Sequence, residues 1–462
     1  MDAVIGSEDC LFANIYAPLP FGLSTAAAPN LHPVLGILVV TFNYRLSMIG
    51  FLKSEEYNIR GNFGLKDQTM LLRWVNQYIR HFNGDPDRVT LVGHSSGAGA
   101  VTHHLYIPQS KHLFHRMIAL SGSPLAPWSL LYNHDHCPDN YVNNLNITSE
   151  EDFFTKDFRE FFIHNRENKY SFQFASSVLR ERFTKFKVPI LLSETRKEFE
   201  TLTKFVDALR FFPNFPHDWA ESRLSSFNSA LEAFTASTVA AGQANNSSEV
   251  LQQIANFANL VYPVRRFAKD LIRVLDPATP VYYQRFEYDG RFGQAKHDYY
   301  RYFLHHSAYG AMHGDELGYI FSPYIVDKAF AEPEEYREEW TVHWRMVELV
   351  ANFARYGNPT PTHITSNLNI TWPAVNRDSS HLTYLNIDKT LELRSFEDNL
   401  SGTVRRTASV RCESDDTQAG LGRRMVVCDV TLASPGGVPG FGYHPGLHGP
   451  PEGLHCGSES VN

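Results

Sequence analysis

Arg88-Val-Thr-Leu-Val-Gly-His-Ser-Ser-Gly-Ala-Gly-Ala100 is the stretch that decides the fold. Val89 to Val92 form a short apolar run that predicts a buried strand. It runs straight into Gly93-His94-Ser95-Ser96-Gly97, and from there into Ala98 to Leu105, which can start a helix. A G-x-S-x-G string between a strand and a helix predicts a nucleophile elbow. The turn has to be so sharp that the serine backbone is strained and its neighbours carry almost no side chain, hence Gly93 and Gly97. The Ser95 hydroxyl then projects from the top of the sheet, with a helix N-terminus beneath any oxyanion that forms. The plainer alternative is an ordinary strand-to-helix turn that contains two glycines and a serine. Only the flanking pattern argues against it.

The 462 residues are 43% hydrophobic and 20% charged, enough for one large core or several smaller ones. A net charge of −8 with the signs interspersed excludes a nucleic-acid binder. No run approaches eighteen apolar residues, so no membrane span is expected. The N-terminus, Met1-Asp-Ala-Val-Ile-Gly-Ser-Glu-Asp, shows no basic region followed by an apolar segment, so no signal peptide is read there. Asn-x-Ser/Thr acceptors at Asn146, Asn245, Asn246, Asn369 and Asn399 point the other way, toward a secreted or extracellular parent protein. Cys10, Cys137, Cys412, Cys428 and Cys456 are too scattered for a metal site, and their odd number leaves at least one unpaired.

Outward from the elbow, the chain alternates strands and helices. Leu11 to Ala17 alternate as a strand, and Gly36 to Tyr44 form a near-continuous apolar run of the kind buried on both faces of a parallel sheet. A helix is expected from about Asp67 to Phe82, with Leu71, Trp74, Tyr78 and Phe82 on its buried face and Asn83-Gly84-Asp85-Pro86 as its stop. Further strands are expected at Phe114–Ser121, Lys187–Ser193 and Pro280–Phe286. Residues 133–182 read as peripheral and helical, and residues 200–275 as mostly helical. A long helix follows from about Glu335 to Tyr356, with Trp340, Trp344, Val347, Ala351 and Ala354 as its buried stripe. Gly357-Asn358-Pro359 caps that helix. Leu382–Ile387 and Leu391–Arg394 close the chain as a hairpin. This is the rhythm of an α/β protein with a mostly parallel central sheet flanked by helices. Past residue 402 the glycine- and proline-rich composition cannot bury enough apolar surface, so 403–462 reads as a flexible tail on a 1–402 domain.

A serine nucleophile needs a base, and the base needs an anion behind it. With 21 histidines in the chain, context has to choose. His313 sits in Ala311-Met-His-Gly-Asp-Glu-Leu, where Gly314 allows close approach. Glu198 follows the strand ending at Ser193, but on chemistry alone Glu194 and Glu200 compete with it for the role of the acid.

The strings Ser7-Glu-Asp-Cys-Leu-Phe-Ala-Asn-Ile-Tyr, Asn43-Tyr-Arg-Leu, Gly61-Asn-Phe-Gly-Leu-Lys-Asp-Gln, Gly93-His-Ser-Ser-Gly-Ala-Gly-Ala, Ala119-Leu-Ser-Gly-Ser, His313-Gly-Asp-Glu-Leu and Asn352-Phe-Ala-Arg-Tyr-Gly-Asn-Pro carry a resemblance. The chain resembles the type-B carboxylesterase and cholinesterase-like family of the α/β-hydrolase fold, over most of residues 7–395. The resemblance implies Ser95 as nucleophile, His313 as base, Glu198 as the acid, and the backbone N–H of Ser96 as an oxyanion donor. Arg45 and Asp67 match a structural ion pair of the family. It further implies a serine ester hydrolase acting on small-molecule carboxylic esters through an acyl-enzyme, with no metal or organic cofactor.

The departures are as informative. The family places a strand and a His-Gly-Gly-Gly loop between the strands matching Leu11–Ala17 and Gly36–Tyr44. Here His32-Pro-Val-Leu-Gly-Ile-Leu-Val-Val passes directly from one to the other. The N-terminal hairpin region and the partner of Cys10 have no counterpart either, so the domain reads as truncated, internally deleted and incomplete in its N-terminal part. One lost oxyanion donor costs about 10²–10³ in rate, so the expected esterase is an impaired one. The missing strand would neighbour the nucleophile strand, and the sheet must close up or leave edges unpaired. The alternative expectation is a non-catalytic cholinesterase-like adhesion or ligand-binding protein, with a protein partner.

Overall fold

The computed structural model of the chain describes residues 7–17, 36–54, 56–126, 128–129, 142–161, 187–198, 256–293, 309–321, 327–379 and 381–396, with isolated positions between 235 and 253 and at 296. The expected tail, and most of the segments 133–182 and 200–275, lie outside the described residues.

Eight strands are described: β1 (Ala13–Tyr16), β2 (Val39–Phe42), β3 (Thr90–His94), β4 (Arg116–Leu120), β5 (Ile190–Thr195), β6 (Val281–Phe286), β7 (Leu382–Ile387) and β8 (Leu391–Phe396). They form two separate sheets. β1 pairs with β2 antiparallel, and the other six lie in the order β3-β4-β5-β6-β7-β8. β3 to β7 run parallel, and β8 turns back on β7 as the expected hairpin. β4 and β5 are buried almost throughout because helices cover both faces. One face carries α3 (Ser96–His103) and α5 (Tyr262–Val274), packing Ala98, Val101, Val264, Phe267 and Leu271 over Met117, Ile190 and Tyr283. The other carries α6 (Leu317–Ile320) and α8 (Arg337–Tyr356), with Val342, Met346 and Phe353 over Ile118, Leu191 and Tyr282.

Residues 18–35, between β1 and β2, lie outside the described residues. Among the described residues β3 pairs on one side only, with β4. None of its five residues is fully buried, and Val92 is 45% exposed. Among the described residues β3 is thus an edge strand. β2 is instead tied to the body through its exit. The backbone N–H and Nε of Arg45 donate to Asp67 Oδ2 at 3.0 and 2.8 Å, and Nη2 donates to Oδ1 at 2.6 Å. The Arg45 carbonyl is gripped from two sides, since a Cβ on Gly50 or Gly64 would stand 2.2 or 2.4 Å from it.

Two helices differ from expectation. α2 (Phe63–Tyr78) starts four residues earlier and continues as a 3₁₀ turn, Ile79–Phe82. Its buried stripe is Leu65, Leu72, Val75 and Ile79, whereas Tyr78 and Phe82 are exposed and stack against Trp74 instead, with centroids 5.7 and 6.0 Å away. In α8, Val347 and Ala351 are buried as expected, but Trp344 is 46% exposed and the core contacts come from Val342, Met346, Leu349 and Phe353. In both helices an aromatic side chain at helical spacing, Tyr78 and Phe82 in one and Trp344 in the other, lies on the exposed flank, and the buried stripe runs beside it. Gly357 caps α8 at φ 68°, its N–H donating to Phe353 O at 2.8 Å. No helix among the described residues is long and apolar enough to cross a membrane. Short α1 (Ser47–Phe51) and α4 (Glu150–Thr155) pack together with Phe63 in a satellite core.

The end of α3 buries two histidines side by side. His104 bonds Ser110 Oγ through Nδ1 at 2.7 Å and Gln68 Oε1 through Nε2 at 2.9 Å, while His103 Nε2 lies 3.1 Å from Ser129 Oγ. Burial holds His103 down to about 4 and His104 down to about 3. Each binds its proton in the unfolded chain near pH 6.5 but not in the fold, so unfolding takes up protons between those limits. Stability should fall as pH drops from 6.5 toward 4, by about 1.4 kcal/mol per pH unit for each histidine at full effect. Urea melts from pH 7 to 4 should show this slope, and it should be shallower in His104→Gln.

Candidate active site

Ser95 follows β3 directly and opens α3 with φ 57° and ψ −122°, a region a residue with a side chain enters only under strain. The surroundings fix it there. Its N–H donates to Leu120 O on β4 at 2.8 Å, and its carbonyl accepts from Gly99 N–H at 3.1 Å. A Cβ at Gly93 would sit 2.2 Å from the Gly97 carbonyl, and one at Gly122 would sit 2.3 Å from the Ser95 carbonyl. A Cβ at Gly97 would meet nothing within 4 Å. The expectation that crowding demands glycine on both sides of the serine thus holds for Gly93 and not for Gly97. The second close approach belongs to Gly122, just after β4, whose one signal in the sequence is the Ser121-Gly-Ser string.

His313 and Glu198 arrive on two loops zipped together by backbone. Lys197 N–H donates to Ala311 O at 2.9 Å, and His313 N–H donates to Glu198 O at 3.2 Å. The side chains then meet, with His313 Nδ1 2.6 Å from Glu198 Oε2. The other carboxylate oxygen of Glu198 accepts Thr195 N–H at 2.7 Å, which turns it back against the end of β5. Asp315 shapes the histidine loop, its carboxylate accepting Met312 N–H at 2.8 Å and Lys296 N–H at 3.2 Å. The imidazole reaches the elbow through His94, the residue before Ser95, whose ring lies 4.5 Å from that of His313 at an interplanar angle of 42°. Burial, with His313 next to it, holds His94 well below the usual histidine range, so the ring beside His313 is neutral.

The competing carboxylates separate by position. Glu194 points to the opposite face of the sheet, where Arg265 Nε and Nη2 bind it at 2.9 and 2.5 Å and Tyr283 Oη donates to it at 2.5 Å. It bolts α5 to the sheet and has no path to His313. Glu200 lies outside the described residues. Ser96 is exposed at the first position of α3, next to Ser95.

Glu316 is a residue the sequence reading passed over, although it stands in His313-Gly-Asp-Glu. It is fully buried, accepts from Ser121 Oγ at 3.3 Å, and its Oε2 has no hydrogen-bond partner among the described residues. Burial, reinforced by the Glu198 charge, pushes its carboxyl well above the usual range. The shift favours the protonated form of Glu316.

Of the sequons, Asn146 and Asn369 are exposed, each with positive φ in a loop; Asn246 is exposed as well, and Asn245 and Asn399 lie outside the described residues.

Comparison with known proteins agrees with this geometry. The sequence profile of the carboxylesterase family matches residues 21–404. The chain is 42% identical over 147 residues to a carboxylic ester hydrolase of Bombus ignitus, a stretch covering 28% of this chain and 26% of that one. It is 40% identical over 152 residues to esterase B1 of Culex pipiens, covering 28% of each. A longer match, 26% identical over 442 residues, is to pyrethroid hydrolase Ces2e of Rattus norvegicus, covering 81% of this chain and 70% of that one. The chain thus matches about a quarter of the length of the first two relatives and over two thirds of the third. With a mostly parallel sheet flanked by helices and a matching profile over most of its length, this chain belongs to the carboxylesterase family.

Proposed function

We propose that this chain is a serine carboxylic-ester hydrolase in which Ser95, His313 and Glu198 act as nucleophile, base and orienting acid. The observation that carries the reading is the 2.6 Å contact between His313 Nδ1 and Glu198, formed with the imidazole 4.5 Å from the ring of the residue that precedes Ser95. With Nδ1 engaged by a carboxylate, Nε2 is the nitrogen left to exchange a proton with the serine. Ser95 Oγ attacks the ester carbonyl carbon while His313 takes its proton. The tetrahedral oxyanion is received by Ser96 N–H at the start of α3. Collapse expels the alcohol, which receives the proton from His313. Water, activated by the same imidazole, then releases the acid and regenerates Ser95.

The family's glycine-rich oxyanion loop has no counterpart in the sequence, so Ser96 carries that work with fewer partners. The acylation rate is accordingly lower than in an esterase with a full set of donors, by about 10²–10³ for each donor lost. A binding role that survives loss of Ser95 is the second reading, and the open edge of β3 is the feature that favours it.

A fluorophosphonate probe should label Ser95 in the folded protein, as read by peptide mapping, and Ser95→Ala should abolish labelling. Glu198→Gln should slow labelling by about 10²–10⁴ through loss of the imidazole's orientation. Absence of label on folded chain removes the hydrolase reading, and partner binding that persists in Ser95→Ala supports the alternative.

Glu316 gives a separate check. Its carboxyl stays protonated in the fold while the same residue ionises near pH 4.5 in the unfolded chain. Stability is therefore drained as pH rises above 4.5, by about 1.4 kcal/mol per unit at most. Glu316→Gln, a neutral isostere, should be more stable than the wild type at pH 7–8, with the gap closing toward pH 4.5, and should label at a near-normal rate.

The exposed loop positions of Asn146 and Asn369 support passage through a secretory route. Protein made in a eukaryotic secretory host should lose mass with peptide-N-glycosidase, and less so in Asn146→Gln and Asn369→Gln.

A further inference from the structure

The loop that carries His313 is fastened on three sides. Downstream it runs straight into α6, then α7 (Asp327–Ala331) and α8, where Ile320, Ala329 and Val342 share one core of the sheet. On one flank the backbone zipper at Lys197 and Glu198 aligns it with the acid. On the other flank it meets the chain leaving β6, and Lys296 joins the two. The Lys296 ammonium lies between two carboxylates. It donates to Asp289 Oδ1, and the other oxygen of Asp289 accepts Gly310 N–H at 2.8 Å. It stands 3.3 Å from Asp315 Oδ2, which accepts Met312 N–H at 2.8 Å. A third acceptor, Gly290 O, lies 3.5 Å away, and the Lys296 backbone N–H reaches Asp315 Oδ1 at 3.2 Å. One side chain therefore anchors the acceptors of the N–H groups at 310 and 312, the positions that lead into His313.

We propose that Lys296 is a positioning residue for ester hydrolysis, holding the His313 imidazole in line with Glu198 through Asp289 and Asp315. The inference rests on the reading of His313 as the base. The packing leaves little slack around the anchor: a Cβ on Gly293 would stand 2.7 Å from the Asp315 carboxyl carbon. Gly310 turns at φ 91°, a conformation glycine leaves as readily as it enters, so the bond from its N–H to Asp289 steadies the turn. The side chain of Asp315 is 1% exposed and that of Lys296 12%, so this limb lies where a charge left single costs far more than in water. Asp289, 48% exposed, is the outer and wetter end of the row. Without the ammonium, Asp315 would be a buried carboxylate bound among the described residues by backbone N–H groups alone, and the loop relieves that by opening toward water. Lys296 touches no reacting atom. Its effect is geometric, and a misplacement of about 1 Å at a catalytic group costs on the order of 10² in rate.

The test uses the full chain and two readouts. One is the proton on His313 Nδ1, whose bridge to Glu198 gives a magnetic resonance signal far downfield of the amides, assigned by its loss in His313→Gln. The other is the rate of fluorophosphonate labelling at Ser95. In Lys296→Met the signal should move upfield or broaden away, and labelling should slow about tenfold or more. Lys296→Arg, whose guanidinium can bridge both carboxylates, should bring back the signal and about a third or more of the rate. Asp289→Asn keeps an oxygen for Gly310 N–H and removes the charge at the exposed end. It should move the signal the same way by less and slow labelling about threefold, and it decides the matter where Lys296→Met does not fold. An unmoved signal in either folded variant overturns the proposal. So does slowing that Lys296→Arg fails to relieve, or a wild-type spectrum with no His313 signal. If wild-type Ser95 takes no label, the hydrolase reading falls by itself, and the His313 signal alone still decides the role of Lys296.

Discussion

Among the described residues the Ser95 peptide is held by one neighbouring strand and by its own helix. The restraint comes from the Ser95 N–H on Leu120 O, from Gly99 N–H on the Ser95 carbonyl, and from the close Gly122 approach to that carbonyl. A residue held at φ 57° and ψ −122° carries about 1–3 kcal/mol of strain and persists only where its surroundings over-determine it. The register Gly93↔Ala119 and His94↔Leu120 sets that neighbour in place. β4 is the opposite of an edge: Met117 to Leu120 are completely buried, with cores on both faces.

The same asymmetry explains which parts of the molecule could be read from sequence. The strands at 114–121, 187–193 and 280–286 were legible because interior parallel strands are continuous apolar runs, and the run itself is the signal. The elbow was legible because its geometry dictates residue type at Ser95 and Gly93. The buried faces of α2 and α8 were not. Trp74, Tyr78, Phe82 and Trp344 repeat at helical spacing as strongly as the true core residues do, and nothing in a hydrophobic pattern says on which side of an apolar stripe the sheet lies. Nor could chemistry alone rank Glu194, Glu198 and Glu200. Successive strand residues face opposite sides, so Glu194 goes to Arg265 and Tyr283, and only the turn after Thr195 brings Glu198 round to His313.

Buried carboxylates divide the molecule's electrostatics into two kinds. Asp67 and Glu194 are each matched by an arginine in fork geometry and serve as bolts, joining β2 to α2 and α5 to the sheet. Among the described residues Glu198 meets no arginine; its carboxylate is bound by the Thr195 N–H and by the His313 imidazole.

Glu316 follows from this arrangement. A carboxylate left unneutralised for the sake of His313 projects its field into the loop that carries the histidine, and the nearest acid there must yield its own charge. Burial, then the neighbouring carboxylates of Glu198 and Asp315, push the Glu316 carboxyl well above the usual range. Asp315, next in chain to Glu316, escapes that fate in part because Lys296 faces it at 3.3 Å and two backbone N–H groups bind it. Asp315 and Glu316 thus differ, among the described residues, in the number of donors each reaches. The His313 ring thus meets the Glu198 carboxylate on one side and His94, the residue before the strained Ser95, on the other.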